Sequence, residues 1–286
     1  MEEQVKSNPQ PSYRVGGEKG KKKREKQRRK CRQWIRMGVP VVLLVSFVAC
    51  LLGCHREQVR DAESVLSIEA PMGKQVEVPY KRNAYGKKIV ALTFDDGPFP
   101  ATTNRLLDLL REKEVQATFF ELGTMASRYP EVTKRVYDEK HELASHTMSH
   151  KQLNKLRANE VATEVSQARD VLRGITGEDP KLVRPPYGAI NVVVAENVGA
   201  PMILWTVDTE DWKSKDASAV LERTKATVFD GAVILMHDIY ESSVDGAGMI
   251  IDELRKDNYE FVTVSELSEL RGVELKDGEV YGSFRP

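Results

Sequence analysis

Residues 88–98 read KIVALTFDDGP, and this stretch decides the fold class. Its first part, KIVALTF, is a β-rich apolar run without strict alternation, which is typical of a strand covered on both faces of a parallel sheet. Two adjacent carboxylates, Asp95 and Asp96, follow it directly, and Gly97-Pro98 is a turn signal. Two carboxylates leaving a buried strand are unfavourable unless a cation compensates them. The stretch therefore predicts either an ordinary turn or a charged site at a strand end.

Six further apolar runs have the same character, and helical patterns separate them. They are ATFFEL (117–122), HELASH (141–146), KLVRPP (181–186), MILWTVD (202–208), AVILMHD (232–238) and YEFVTV (259–264). The clearest helical pattern covers residues 158–177, where apolar side chains recur three and four residues apart and Gly177 provides a stop. Strands that alternate with helices predict parallel pairing. We expect an α/β fold, either a distorted or incomplete (β/α) barrel of about seven units or an open doubly wound sheet.

The charges are segregated along the chain, although 43 basic and 43 acidic residues give a net charge of zero. Residues 1–36 carry 13 basic and four acidic side chains, and residues 37–54 carry none. Residues 55–286 carry 30 basic and 39 acidic ones. With 41% hydrophobic and 30% charged residues, the composition excludes a disordered, collagenous or multi-span membrane protein. A membrane between the basic and the acidic part explains the division best.

The uncharged segment 37–54, MGVPVVLLVSFVACLLGC, spans about 27 Å as a helix, close to the roughly 30 Å of a bilayer core. Basic flanks stay cytoplasmic, so we expect a cytoplasmic tail (1–36), a single transmembrane helix (37–54) and an extracytoplasmic stalk (55–85) before the body. The alternative is a cleaved signal peptide with a lipidated Cys54, because the residues before it resemble a lipobox. Nucleic-acid binding by the basic run is disfavoured, since the positive-inside rule already explains its charge.

The cysteines exclude several kinds of site. Cys31, Cys50 and Cys54 all lie at or before the end of the apolar segment, so the body contains none. It therefore lacks disulfides, thiolate metal ligands and a cysteine nucleophile.

Polar residues also follow the later predicted strands, whose C-terminal ends meet at one edge of an α/β fold. In HTMSH, His146 and His150 are four residues apart, so on a helical turn they would face one side and share a metal ion with a carboxylate. A structural or chance pair has the same spacing. In RPPYG, the prolines stiffen the backbone and leave Arg184 to pair with a carboxylate and the Tyr187 N–H to donate to an oxyanion. A rigid loop with a surface ion pair is the alternative.

Two more motifs complete the set. DTEDW, residues 208–212, combines carboxylates with a Trp side chain, whose ring could stack on the face of a sugar. An acidic loop whose Trp packs against the protein explains the motif equally well. LMHD, residues 235–238, ends an apolar strand with the titratable His237, which burial or an acidic neighbour can tune for proton transfer.

In this order, TFDDGP, HTMSH, RPPYG, DTEDW and LMHD resemble the five motifs of the polysaccharide deacetylase family, the NodB-like carbohydrate esterases, over residues 86–272. The resemblance implies a distorted (β/α) barrel that removes N- or O-acetyl groups from sugars with a divalent metal, Zn²⁺ or alternatively Co²⁺ or another ion. It leaves residues 273–286 as a C-terminal tail.

The resemblance also implies a role for each matching residue. Asp95 would be the general base, oriented by Arg184, and His237 the general acid, with Asp208 as its charge partner. The Tyr187 N–H would help to hold the oxyanion. The metal ligands would be Asp96, His146 and His150, and the substrate contacts Leu235, Trp212 and Pro186. No role is assigned to Asp211.

The substrate is inferred from the predicted location. A deacetylase anchored outside the membrane meets cell-wall glycan, so peptidoglycan N-acetylglucosamine is the expected substrate. N-acetylmuramic acid, chitooligosaccharides and an exported polysaccharide are alternatives within that activity, and a small cyclic amide is another. A catalytically silent glycan-binding domain is the alternative of another class. No protein partner is implied.

Overall fold

The computed structural model describes residues 86–286. The predicted tail (1–36), membrane span (37–54) and stalk (55–85) lie outside these residues. Within the described part, no helix is both long and apolar enough to cross a bilayer.

The described residues form a parallel sheet with connecting helices. The strands are β1 (Lys88–Asp95), β2 (Thr118–Glu121), β3 (Glu142–Ser145), β4 (Met202–Ile203), β5 (Val207–Asp208), β6 (Val233–His237), β7 (Tyr259–Val262) and β8 (Val280–Tyr281). The main sheet has the order β3-β2-β1-β6-β5, and β7 pairs with the first half of β1. A second sheet pairs β4 with β8. All these pairs are parallel, as the alternation of strands and helices predicts.

The helices connect the strands and cover the sheet. They are α1 (Pro100–Glu112), α2 (Gly123–Arg128), α3 (Pro130–Asp138), α4 (Ala158–Thr176), α5 (Val192–Asn197), α6 (Asp211–Ser214), α7 (Ala217–Thr227), α8 (Glu241–Lys256) and α9 (Val264–Leu270), with 3-10 turns at Leu153–Lys155 and Pro186–Gly188. The long helix α4 ends at Gly177, which is left-handed with φ 84°. Glycine adopts this conformation without a Cβ clash, so the predicted stop is where the helix ends.

The two faces of β1 carry different cores, because successive side chains of a strand point to opposite faces. Val90, Leu92 and Phe94 belong to one buried cluster, which includes apolar residues of α1 and α8. Ile89 and Ala91 belong to a second cluster, on the other face. This second face continues along β1 with polar residues at the carboxyl end of the strand, and the candidate site begins there.

The structure corrects three sequence expectations. The run 181–186 is not a strand: only Val183 forms single bridges, to Ser145 and Met202, before Pro186 starts a 3-10 turn. Proline lacks the N–H that a ladder needs, so the run cannot continue the pairing. The run 202–208 is two short strands, β4 and β5, rather than one.

The described strands do not close into a barrel, which is consistent with the expected incomplete barrel or open sheet, and the single bridges of Val183 link β3 to the β4–β8 pair. The third correction concerns the C-terminus. Residues 273–286 are not a separate tail, because β8 pairs with β4 and Phe284 is buried in the second cluster.

Candidate active site

The ends of β1 and β6 bring two predicted catalytic groups together. The register pairs Asp95 with His237 and, two residues earlier, Thr93 with Leu235. Neighbouring strands lie about 4.8 Å apart, so all four residues share one edge of the sheet. Their shared edge follows from the pairing of strands that are far apart in sequence.

Asp95 is held by a buried ion pair. Arg184 Nη1 donates to Asp95 Oδ1 over 2.7 Å, and the two residues are 0% and 3% exposed. Burial raises the pKa of Asp95, while the charge and hydrogen bond of Arg184 act in the opposite direction. A carboxylate with a raised pKa is a better proton acceptor than an exposed one near neutral pH. The geometry suits Asp95 to the predicted role of base, which stays a prediction.

Each of the three nitrogen atoms of the Arg184 guanidinium donates at least one hydrogen bond. Nη1 also donates to Thr93 Oγ1, Nε donates to the carbonyl of Ile203, and Nη2 donates to the carbonyl of Leu204. The guanidinium carbon lies 4.0 Å from the ring centroid of Phe120. A buried guanidinium is stable only when its donors are satisfied, so the contacts explain how this cation remains buried beside Asp95.

Asp96, His146 and His150 converge, although HTMSH is not helical. The motif leaves β3 as an irregular loop, and Thr147 and His150 have left-handed backbone conformations, with φ 72° and 59°. The Nε2 atoms of His146 and His150 lie 3.5 and 3.3 Å from Asp96 Oδ1. The expected helical turn was therefore wrong, and it is the loop that aims the two imidazoles at one carboxylate.

These three residues fit a divalent metal ion. Asp96 Oδ1 is buried and has no hydrogen-bond partner within the described part of the chain. All three ligand atoms lie within 4.8 Å of one another. Tetrahedral ligation with bonds of about 2.0 to 2.1 Å places ligand atoms roughly 3.4 Å apart, which matches the distances from Asp96 Oδ1. The donor set is typical of zinc but also suits other divalent ions.

The protonation state of His146 suits a ligand as well. Its Nδ1 lies 2.7 Å from the carbonyl of Arg184, which can only accept, so Nδ1 carries the proton and Nε2 has a free lone pair. Burial lowers the pKa of His146 to about 3, so the ring is neutral, as metal ligation requires.

The partner of His237 is Asp211, and the predicted pairing with Asp208 is wrong. His237 Nδ1 lies 2.8 Å from Asp211 Oδ1, and the His237 main-chain N–H donates to Oδ2. Ser243 also donates to Asp211 Oδ2, over 2.6 Å. Asp208 is exposed, and its Oδ1 accepts the Glu210 N–H. The turn into α6 separates the two carboxylates, so that only Asp211 is buried beneath the imidazole.

Asp211 changes the proton affinity of His237. Burial alone lowers the pKa of His237, but the hydrogen bond and charge of Asp211, together with the charges of Asp95 and Asp96, outweigh it and raise the pKa to about 9. His237 is therefore protonated near neutral pH, as a general acid must be.

These groups line one cavity of about 510 Å³. Its remaining walls include four aromatic side chains: Tyr187, Trp205, Trp212 and Tyr240. Leu235 and Asp208 also line it. Pro186 is buried and is not among the lining residues, which does not support a direct substrate contact.

Sequence reasoning missed Asp211, Trp205 and Tyr240. The repeated Asp in DTEDW left two candidates for the partner of His237. Trp205 lies inside a run that was taken as one strand, and the bend between β4 and β5 brings it to the cavity. Tyr240 lies two residues after the LMHD motif, and its place in the sequence was the only available signal.

Left-handed backbone conformations concentrate around the cavity. Asp96, His150 and Tyr187 have φ values of 74°, 59° and 61°. In residues other than glycine, such conformations cost of order 1 to 3 kcal/mol each and cluster at functional sites. The surrounding contacts must therefore hold these residues in place, which favours a fixed arrangement of catalytic groups.

The chain is similar to known deacetylases in sequence and fold. The family model "Polysaccharide deacetylase" matches residues 82–203. Over 185 residues the chain is 42% identical to peptidoglycan-N-acetylmuramic acid deacetylase PdaC of Bacillus subtilis, covering 65% of this chain and 40% of that protein. Over 206 residues it is 41% identical to peptidoglycan-N-acetylglucosamine deacetylase PgdA of Listeria monocytogenes, covering 72% of this chain and 44% of that protein. The match thus spans less than half the length of either relative.

A solved structure, "T48 deacetylase with substrate", superimposes with a TM-score of 0.67 at 40% identity, covering 70% of this chain and 99% of that one. Nearly the whole of that deacetylase is therefore matched in both sequence and fold. The chain belongs to the polysaccharide deacetylase family.

Proposed function

We propose that the protein is a metal-dependent hydrolase that removes acetyl groups from N-acetylglucosamine in peptidoglycan. The observation that carries the proposal is the single cavity in which Asp95, His237 and the Asp96–His146–His150 group converge. A base, an acid and a metal-binding group around one space are the parts that amide hydrolysis requires.

Asp95 acts as the base. A divalent ion held by Asp96, His146 and His150 supplies Lewis acidity, which makes an acyl carbon more electrophilic and a water more acidic. Arg184 fixes the Asp95 carboxylate, so that Oδ1 is occupied and Oδ2 is left to take the proton from the attacking water. The Tyr187 N–H is the proposed donor to the developing oxyanion, a contact worth about 2.7 to 4 kcal/mol in comparable sites.

His237 acts as the acid. It carries a proton at neutral pH because the neighbouring carboxylates, Asp211 foremost, raise its pKa. Asp211 and Ser243 fix the ring orientation, and His237 gives its proton to the leaving amine as the C–N bond breaks. The products are acetate and a free amino sugar.

The aromatic walls support a sugar substrate. Trp212 and Tyr187 are 49% and 67% exposed at the cavity, and such rings offer apolar faces to the C–H side of a sugar. The two curated relatives are named for peptidoglycan, one for N-acetylmuramic acid and one for N-acetylglucosamine. We favour N-acetylglucosamine, with N-acetylmuramic acid, chitooligosaccharides and exported polysaccharides as the competing substrates.

Acetate release from purified glycans tests the proposal. We expect the full-length protein to release acetate from peptidoglycan. The release should stop when a chelator removes the metal and resume when Zn²⁺ is added. Mass spectrometry of the digested glycan should show the acetyl loss on glucosamine rather than muramic acid. Chitooligosaccharides and an acetylated polysaccharide serve as parallel substrates. No metal-dependent release from any of them would favour a silent binding domain.

Variants of Asp95 and His146 separate the base from the metal site. We expect Asp95→Asn to lower turnover about 100-fold or more while metal content survives, because it removes the base and no ligand. His146→Ala should lose both metal and activity. Metal analysis and acetate release measure the two effects, and substantial activity in Asp95→Asn would refute the role of Asp95.

The pH profile tests the pairing of His237 with Asp211. The acid must be protonated, so activity falls as the pH rises through the pKa of His237. Asp211→Asn removes the interaction that raises this pKa, and the alkaline limb should move about 1 to 2 pH units lower, given hydrogen bonds to charged groups worth roughly 1.5 to 3 kcal/mol. Asp208→Asn is the matched control and should leave the midpoint of this limb in place. A shift in Asp208→Asn but not in Asp211→Asn would contradict the assignment.

We also propose that residues 37–54 anchor the protein in the membrane, with the described domain outside. The charge pattern of residues 1–54 supports this topology. Cell fractionation of Cys54→Ser, with Cys50→Ser as control, tests it. Both variants should remain in the membrane fraction, whereas release of only Cys54→Ser would indicate a lipid anchor.

A further inference from the structure

Asp238 is a buried carboxylate that the proposed reaction does not use. It directly follows His237 at the end of β6 and is 1% exposed. Burying a carboxylate is unfavourable, so its place beside the acid calls for a physical account.

One side of Asp238 is attached to the first turn of α1. Thr103 Oγ1 donates to Asp238 Oδ2 over 2.5 Å, and Thr102 Oγ1 donates to the Asp238 carbonyl over 2.5 Å. Oδ1 has no hydrogen-bond partner in the region the structure describes. The two threonines therefore hold the side chain of Asp238 through Oδ2 and its backbone through the carbonyl oxygen.

The other side of Asp238 lies against Gly97. A Cβ built on Gly97 would come closer than 3.0 Å to both carboxylate oxygens, and the carboxylate cannot swing away freely because Thr103 holds it. Gly97 directly follows Asp96, and its carbonyl accepts the Leu122 N–H over 3.0 Å. The carboxylate thus fills the space between the bend after β1 and the start of α1.

We infer that Asp238 is a positioning residue, a spacer that fixes the bend carrying Asp95 and Asp96 relative to His237. Asp238 directly follows His237 in the chain, and its side chain packs on Gly97, the residue after Asp96. Thr103 of α1 fixes its carboxylate from the opposite side. The effect of this spacing on catalysis rests on the proposed function, whereas its effect on metal affinity can be measured without any turnover.

A double-mutant cycle between residues 97 and 238 tests the spacer in the full-length protein. Two quantities are measured: Zn²⁺ affinity by chelator competition, and kcat and KM for a chitooligosaccharide. Asp238→Ala should weaken Zn²⁺ binding about 10-fold or more and lower kcat about 10- to 100-fold with little change in KM, because nearby groups orient ligands and reacting atoms. Asp238→Asn should stay close to the unmodified protein, since the amide fills the same space and its oxygen still accepts from Thr103.

The coupling is the decisive part. Gly97→Ala should impair both quantities by displacing the carboxylate, and adding Asp238→Ala should partly restore them because the new methyl group gains room. Additive effects, or an Asn variant as impaired as the Ala variant, would overturn the spacer.

Loss of stability is controlled separately. Thr224→Ala removes a buried hydroxyl on α7 whose one hydrogen bond within residues 86–286 goes to the Val220 carbonyl, and it should leave Zn²⁺ affinity and kcat unchanged. If Thr224→Ala lowers Zn²⁺ affinity and kcat as much as Asp238→Ala does, and the two variants unfold at similar midpoint temperatures, the effect is general destabilisation and the inference fails. If the unmodified protein binds Zn²⁺ and follows the predicted affinities but releases no acetate, the proposed function fails and the spacer stands.

Discussion

The buried pair between Arg184 and Asp95 is the constraint on which the site depends. A carboxylate and a guanidinium removed from water are each unfavourable alone, and removing one partner of such a pair typically destabilises a protein by about 3 to 5 kcal/mol. The main chain of Arg184 extends the same constraint. The Arg184 N–H donates to the Ser145 carbonyl, and the Arg184 carbonyl accepts a hydrogen bond from His146 Nδ1. One residue thus positions the predicted base through its side chain and one predicted metal ligand through its backbone.

The base and the acid of the proposed chemistry are oriented by partners of opposite charge. Asp95 is oriented by a cation, whereas His237 is oriented by an anion, Asp211, which also raises its pKa. Arg184 favours the ionised form of Asp95 against the effect of burial, which raises the pKa of Asp95, and Asp211 favours the protonated form of His237. This is the arrangement that a base and an acid need to work at one pH.

The sequence predicted most of the elements for identifiable reasons. The long apolar runs of β1 and β6 are buried on both faces, so their composition alone marks them as strands. The prediction of a strand over 181–186 failed because a single bridged residue, Val183, between Leu182 and an Arg-Pro-Pro sequence gives the same local pattern as a strand. The break within 202–208 and the pairing of β8 failed because both depend on contacts with distant segments.

Residue chemistry and order along the chain established the α/β class, the parallel pairing and the five motifs, since these follow from local patterns. The sequence could also name the residue types able to bind a metal or transfer a proton. Only the tertiary structure decided which carboxylate meets His237, how an irregular loop aims two imidazoles at Asp96, and which aromatic rings line the cavity. These depend on strand register, left-handed turns and distances of a few ångströms between residues far apart in sequence, which no local pattern encodes.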